Sequence, residues 1–265
     1  MLFDQHVHTN HSKDGRDSME DVIISAIRKG LTGIAITDHC NYGCGVFDDP
    51  VPAVRDSFNE ICSLRKKFDN RIVISAGVEI GQALQAGDLG KKAFKACKYD
   101  VILASVHSVP GETDFCTWQG RCENPKKEME KYLMEVLKTA KTTDYDILAH
   151  LTYPWRYFEK DLSFPPPASF QEIIEEIFKV IIKKGKSLEL NVSGFHREPH
   201  FQPLPDIETL KFYKSLGGEL VTIGSDAHCT NYVGESLNEG AELLKAAGFN
   251  YQAFYTQRIP TAYKL

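Results

Sequence analysis

Residues 3–15 read FDQHVHTNHSKDG, and this stretch decides the fold class. The apolar run Phe3–Val7 has the length of a buried strand, and His6 and His8 lie at its carboxyl end. An open doubly wound sheet, the alternative architecture, usually carries a Gly-rich phosphate-binding turn here, whereas this chain carries histidines. The stretch therefore favours a closed barrel, in which side chains two apart on one strand can both face the interior.

Short apolar runs and amphipathic stretches alternate along the rest of the chain. Further strands rich in Ile, Val and Leu are predicted at 34–36, 72–78, 101–106, 147–149, 188–192 and 220–223. Apolar residues at helical spacing predict helices near 19–27, 54–68, 129–140, 170–182, 206–216 and 235–247. Regular strand–helix alternation predicts a parallel sheet, and without a linker we expect one α/β domain over 1–265.

Local signals predict where three helices begin or end. Ser18 is the expected N-cap of the first helix, and Gly30 its stop. Pro125 is suited to the first turn of the helix near 129–140. Ser169 and Glu172 have the spacing of a capping box.

The composition of the chain limits the kinds of partner that it can bind. The chain has 31 Lys and Arg against 36 Asp and Glu, a net charge of −5, so without a basic stripe it is a poor binder of extended nucleic acid. No apolar run approaches the roughly 20 residues of a membrane span, and we expect no signal peptide. We therefore expect a cytoplasmic protein whose seven cysteines are reduced. The oligomeric state is left open. Cys40 and Cys44 lack a second matching pair and are predicted to be ordinary thiols.

Six of the nine histidines fall at or just past the carboxyl end of a predicted strand. They are His6, His8, His39, His107, His150 and His228. The third strand ends in GVEIG and contributes Glu79, and Asp226 precedes His228 by two residues. These ends share one face of a parallel barrel, the face on which active sites are built. A single histidine at a strand end is commonly a polar residue with its hydrogen bonds satisfied. Six histidines at five strand ends instead predict a shared site.

Imidazole and carboxylate together are ligands for Zn, Mn, Fe or Co. With Asp14 the candidates number nine, which is too many for one ion and suits two or three.

In their order along the chain, these motifs resemble the PHP (polymerase and histidinol phosphatase) superfamily. They are HVH at 6–8, SKDG with Asp14, TDH with His39, GVE with Glu79, SVH with His107, LAH with His150 and DAH at 226–228. The opening HVHTNHSKDG and the length are most similar to the histidinol-phosphate phosphatases of that superfamily. The resemblance implies a distorted (β/α)7 TIM-like barrel with a trinuclear metal site. It also implies hydrolysis of L-histidinol phosphate to L-histidinol and phosphate, a step of histidine biosynthesis.

Carried over by position, the resemblance implies three metal-binding sets. The sets are His6, His8, Glu79 and Asp226; Glu79, His107 and His150; and Asp14, His39 and His228. Glu79 would bridge two ions, and with Asp226 and His228 it would belong to the catalytic centre. Divalent ions such as Zn, Fe or Mn would make hydroxide available near neutral pH and hold the phosphoryl oxygens.

Phosphate recognition is expected from guanidinium groups, whose fork matches two phosphoryl oxygens. Arg156 in LTYPWRY and Arg197 in NVSGFHRE follow predicted strands in loops on the same face, with His196 and Ser193 as further substrate contacts. Surface arginines in salt bridges are the alternative. The family places arginines in about these loops, but LTYPWRY departs from its more familiar His-Pro-Asp-type continuation.

Other functions compete with a phosphatase for a small phosphorylated substrate. A metal-dependent amidohydrolase would also use HxH and a late Asp, but would leave Asp14, His39 and His228 without a role. Phosphatases of nucleotides or phosphotyrosine, an oligonucleotide exonuclease and a metal-binding sensor without turnover are the remaining alternatives. His11 and His200 are expected to be polar surface residues.

Overall fold

A computed structural model describes residues 1–43, 49–118, 122–158, 165–196 and 202–265, and of His196 only the backbone. The described strands are β1 (Phe3–Val7), β2 (Gly33–Ile36), β3 (His39–Asn41), β4 (Val73–Gly81), β5 (Val101–Ser105), β6 (Ile147–Leu148), β7 (Ser187–Asn191), β8 (Val221–Gly224), β9 (Tyr251–Thr256) and β10 (Ile259–Lys264). The helices are α1 (Met19–Arg28), α2 (Val51–Lys67), α3 (Asp88–Ala93), α4 (Pro125–Thr142), α5 (Trp155–Phe158), α6 (Gln171–Lys183), α7 (Ile207–Ser215) and α8 (Leu237–Ala246).

The seven predicted strands form one parallel sheet in the order β1-β2-β4-β5-β6-β7-β8. The sheet curls until its two edges meet, because Val7 at the end of β1 forms a parallel bridge with Ala227 beyond β8. The Asp226 N–H donates to the His6 carbonyl at 2.8 Å, and the His8 N–H donates to the Ala227 carbonyl at 2.8 Å. The expected α/β TIM-like barrel is confirmed, and its carboxyl mouth carries the histidines.

The third predicted strand is longer than its apolar run. Strand β4 continues to Gly81, so Glu79 lies within the strand. The extension pairs with β3 on one side and with β5 on the other, and His39 of β3 pairs with Glu79 in parallel register. That pairing places two candidate ligands side by side.

Two of the three helix signals are confirmed. The Ser18 side chain accepts a hydrogen bond from the Asp21 N–H, and Pro125 is the first residue of α4. The Ser169–Glu172 capping box is wrong, because α6 begins after Phe170, which makes no side-chain cap. Prolines hold the preceding residues in a 3-10 turn, in which the Ser169 N–H donates to a proline carbonyl instead.

The opposite end of the barrel is closed by an antiparallel hairpin, β9 and β10, that the sequence patterns did not predict. Phe254 of β9 is 1% exposed and stacks on Phe3 of β1 with 4.8 Å between ring centroids. Together with Val101, Leu103 and other apolar side chains it fills the interior below the histidines. Among the described helices, none combines the length and apolar character needed to cross a membrane.

Replacing Phe254 by Ala should lower the free energy of unfolding by about 3–5 kcal/mol, because it empties the fully buried apolar end of the barrel. Tyr251→Ala on the same hairpin is the matched control, because Tyr251 is 53% exposed. The control should change the free energy by less than about 0.5 kcal/mol. Urea unfolding followed by circular dichroism measures both, and equal midpoints for the two variants would contradict the role of the hairpin.

Candidate metal centre

The nine predicted ligands all lie at the carboxyl mouth of the barrel. His6 and His8 of β1 and its continuation have their Nε2 atoms 2.9 Å apart. Asp226, just past β8, has its Oδ1 at 3.4 Å from the Nε2 of His8 and 3.8 Å from that of His6. The near-closure of the sheet brings together ligands from the first and the last strand of the barrel.

Glu79 occupies the centre of the cluster and is 0% exposed. Its Oε1 lies 3.1 Å from Nε2 of His107 and 2.9 Å from Nε2 of His150. Its Oε2 lies 3.2 Å from Nε2 of His6 and 2.8 Å from Nδ1 of His39. The carboxylate thus faces imidazoles on both sides, which is the geometry that the bridging role requires.

The third predicted set gathers at the outer edge of the cluster. Asp14 has its Oδ2 3.2 Å from Nε2 of His228 and its Oδ1 3.7 Å from Nε2 of His39. The ring of His8 lies between these histidines, 4.2 Å from His228 and 4.1 Å from His39 by centroid. His8 therefore connects the inner and the outer set instead of belonging to the inner set alone.

The hydrogen bonds of His6 and His8 show that the cluster suits a cation. The Nδ1–H of His6 donates to Oε1 of Glu189 at 2.6 Å, which leaves the Nε2 lone pair aimed inward. Ser12 Oγ donates to Asp38 and accepts from the His39 N–H, so the Nδ1 of His8, 3.2 Å away, must donate to it as well. Two Nε2 lone pairs facing each other need a proton or a metal ion between them.

The charges inside the cluster agree with that conclusion. Burial opposes ionisation of His6, but the carboxylates of Glu189 and Glu79 outweigh it and raise its pKa well above the ordinary value. Burial likewise opposes the charge on His39, and Glu79 raises its pKa to about 10. Glu79 itself has its pKa held well below the ordinary value, because His39 and the other imidazoles outweigh its burial. Protons and metal ions therefore compete for the same nitrogens.

Two of the candidate ligands have backbone conformations that L-residues rarely adopt. His150 has φ 24° and Asp226 has φ 53°. Such conformations cost about 1–3 kcal/mol each and occur mainly at functional sites. Each is held by a hydrogen bond from its own N–H, to Oε2 of Glu189 at 2.7 Å and to the carbonyl of His6 at 2.8 Å.

The sequence patterns missed a ring of polar residues behind the ligands. Glu189 and Asn191 of β7 are 1% and 0% exposed, and both contact candidate ligands. Asp38 accepts from the Thr9 N–H at 2.7 Å and from Ser12 Oγ at 2.8 Å, which shapes the loop after β1. The alternation Leu-Glu-Leu-Asn over 188–191 was the available signal, because two polar side chains on one face of a buried strand must point at something polar.

An open cavity of about 770 Å³ lies above the cluster, and Arg156 is part of its wall. Arg156 belongs to the one-turn helix α5 and not to a loop as expected. Its Nη2 donates to Ser193 Oγ at 2.6 Å and to Asn191 Oδ1 at 3.2 Å, and lies 3.7 Å from Asp226 Oδ2. Arg156 is 5% exposed and is therefore not a surface residue, although it does form a salt bridge, with Asp226.

The other predicted substrate contacts have different outcomes. Ser193 is fully buried, and its Oγ accepts the hydrogen bond from Arg156 Nη2. Arg197 lies outside the described residues, as does the side chain of His196.

Four residues were not predicted to be ligands, namely His11, His200, Cys40 and Cys44. His11 is outside the cluster, with its Nε2 2.6 Å from Glu60 Oε2, while His200 lies outside the described residues. Cys40 is buried and donates to the Tyr42 hydroxyl at 3.8 Å. Cys44 is outside the described residues, and within them no cysteine joins a group of potential metal ligands.

A barrel that gathers imidazoles and carboxylates at its carboxyl end is characteristic of one class of proteins. The PHP domain family model matches residues 4–193, and the chain belongs to this family. Among curated proteins, it is 28% identical over 258 residues to the histidinol-phosphatase of Lactococcus lactis subsp. lactis, covering 96% of this chain and 94% of that protein. It is 29% identical over 263 residues to the probable histidinol-phosphatase of Thermotoga maritima, with 98% of each covered.

A solved structure agrees over nearly the whole length. The crystal structure of histidinol phosphate phosphatase from Lactococcus lactis subsp. lactis, complexed with zinc, L-histidinol and phosphate, superposes with a TM-score of 0.83. The two chains are 26% identical, and the superposition covers 98% of each.

We expect the purified protein to contain more than one equivalent of transition metal, and its metal affinity to rise with pH. The raised pKa values of His6 and His39 mean that protons must leave these rings as an ion binds. Elemental analysis measures the content, and calorimetry in two buffers of different ionisation enthalpy counts the released protons. Trace metal after gentle purification, or binding without proton release, would contradict this expectation.

Proposed function

We propose that this protein is a metal-dependent phosphomonoesterase that hydrolyses L-histidinol phosphate to L-histidinol and phosphate. The observation that carries the proposal is the Glu79 carboxylate with imidazoles against both of its oxygens, at the bottom of an open cavity. The likeness to the Lactococcus lactis structure, which holds zinc, L-histidinol and phosphate, supports the substrate class.

The metal centre that we propose contains two or three divalent ions of Zn, Fe or Mn. Glu79 would divide the ligands, with His107 and His150 on one side and His6 on the other, and the remaining imidazoles would extend the centre toward Asp14. Bound ions of this kind make hydroxide available near neutral pH and reduce the negative charge that repels it from a phosphate ester. Asp226 and His228 complete the ligand set at the cavity floor.

Arg156 is the residue that we propose to bind the phosphoryl group. Ser193 and Asn191 hold one end of its guanidinium, and the Tyr153 ring lies 5.6 Å from the guanidinium carbon. Its Nε is a buried donor without a hydrogen-bond partner among the described residues. A guanidinium that is fixed in this way and lines the cavity is well placed to donate to a phosphate oxygen while the metal ions hold the other oxygens.

The wall of the cavity suits the organic part of this substrate. Tyr153 and Tyr157 line the cavity, and the Tyr157 hydroxyl donates to Tyr153, whose own hydroxyl donates to Asp114 at 2.9 Å. Aromatic faces attract cations, and a carboxylate accepts from an ammonium or an imidazolium. Histidinol carries an ammonium group and an imidazole ring, so we propose that they bind along this wall.

A panel of phosphomonoesters tests the function. We expect kcat/KM for histidinol phosphate to exceed that for nucleotides, sugar phosphates and phosphotyrosine by at least about 100-fold, since a site that pairs polar groups discriminates strongly against ligands lacking them. Glu79→Gln, purified in the same way, should be inactive because it breaks the bridge, and it controls for contaminating phosphatases. Comparable rates on all esters would reject the substrate, and turnover by Glu79→Gln at the wild-type rate would reject the bridging role.

Arg156→Lys separates phosphate binding from the metal centre. The ammonium keeps the charge, but it cannot hold Ser193 and Asn191 and reach a phosphate oxygen as a planar fork does. We expect kcat/KM to fall about 10- to 100-fold, since a hydrogen bond to a charged group contributes about 1.5–3 kcal/mol. Arg55→Lys, exposed on α2, is the matched control and should match the wild type. An unchanged KM and kcat in Arg156→Lys would show that Arg156 does not bind the phosphate.

A further inference from the structure

Glu189 is a buried carboxylate that none of the three predicted ligand sets includes. It lies in the middle of β7, is 1% exposed, and has both oxygens committed to other residues. Its Oε1 is 2.6 Å from Nδ1 of His6, and its Oε2 is 2.7 Å from the backbone N of His150. One side chain therefore joins candidate ligands that come from β1 and from the end of β6.

The barrel leaves room for this connection. Strand β8 lies between β7 and β1, so the Glu189 side chain must pass β8 to reach His6. It does so at Gly224, where a Cβ atom would lie 2.7 Å from Glu189 Oε1 and 2.4 Å from the Cβ of His6. A glycine at the end of β8 is what allows the contact.

The contact with His6 determines which ring nitrogen faces the cluster. Because Oε1 accepts from Nδ1–H, Nε2 is the ring nitrogen that is directed at Glu79 and His8. Carboxylates commonly orient ligating imidazoles in this way. Without an acceptor at Nδ1, the proton would be free to move to Nε2, where it blocks binding of an ion.

The contact with His150 acts on the backbone instead. His150 has φ 24°, and the hydrogen bond from its N–H to Glu189 Oε2 holds it there. In this conformation the ring places Nε2 2.9 Å from Oε1 of Glu79 and 3.4 Å from Nε2 of His107. An extended backbone at His150 would direct the ring elsewhere.

We propose that Glu189 is the positioning residue of the metal centre: a single carboxylate sets the tautomer of His6 and the backbone of His150, and so aligns the ligands on the two sides of Glu79. This role rests on the metal-dependent function proposed above. Glu189 does not itself contact the substrate, and its removal should disturb both sides of the centre together.

Glu189→Gln tests the proposal because an amide has the same shape but only one acceptor. It presents an NH2 group either to Nδ1 of His6 or to the N–H of His150, so one of the two contacts is lost. We expect zinc affinity, measured by dialysis against a zinc-buffering chelator, to fall about 10- to 100-fold. With zinc in excess, kcat for histidinol phosphate should fall while KM changes little, because Arg156 and the cavity wall stay in place. A purely structural role would not give this split.

Glu135→Gln on α4 is the matched control, since Glu135 is also buried but does not line the cavity. Wild-type zinc affinity in Glu189→Gln would overturn the positioning role, provided that the wild type binds zinc. A wild type that binds no zinc would overturn the metal centre and this role together. If Glu189→Gln does not fold by circular dichroism, Glu189→Asp is measured in the same way. Its shorter side chain cannot span both contacts, so unchanged zinc affinity in that variant would equally overturn the proposal.

Discussion

The structure depends on the burial of one carboxylate among imidazoles. Glu79 is completely shielded from water, and a buried charge of this kind is tolerated only where partners of opposite charge or good hydrogen bonds surround it. The barrel supplies those partners from strands far apart in the chain: His6 on β1, His39 on β3, His107 after β5 and His150 after β6. If Glu79 were displaced, these four imidazoles would lose the carboxylate that they share.

The barrel divides its interior between stability and chemistry. Below the cluster, Phe3, Phe254 and their apolar neighbours form a dry core that the carboxyl-terminal hairpin closes. Above it, the interior is polar, and two candidate ligands adopt positive φ values. The burial of apolar surface at one end offsets the cost of polar burial and backbone strain at the other. A rigid lower half also keeps the strand ends in fixed positions, which a polynuclear site requires.

Strand β7 differs from its neighbours because it adds no predicted ligand and yet contacts several of them. Glu189 reaches His6 and His150, and Asn191 donates to Asp226 at 3.1 Å while accepting from Arg156. The two side chains point inward for the same reason that His6 and His8 do, namely the two-residue repeat of a strand. Through Asn191, the proposed phosphate-binding arginine and the metal centre share one hydrogen-bond network.

The sequence by itself determined the seven barrel strands and the nine candidate ligands, since strand periodicity and residue type are local properties and the ends of parallel strands share one face. Local patterns were less informative where distant segments meet. The extension of β4 depends on its pairing with β3 and β5, and the hairpin closes the barrel through Phe254. Only the tertiary structure decided that the Glu189 side chain passes β8 at Gly224 and that Arg156 donates a hydrogen bond to Ser193. Such contacts join residues tens of positions apart or more, and their distances follow from how the sheet curls and closes, which no local spacing encodes.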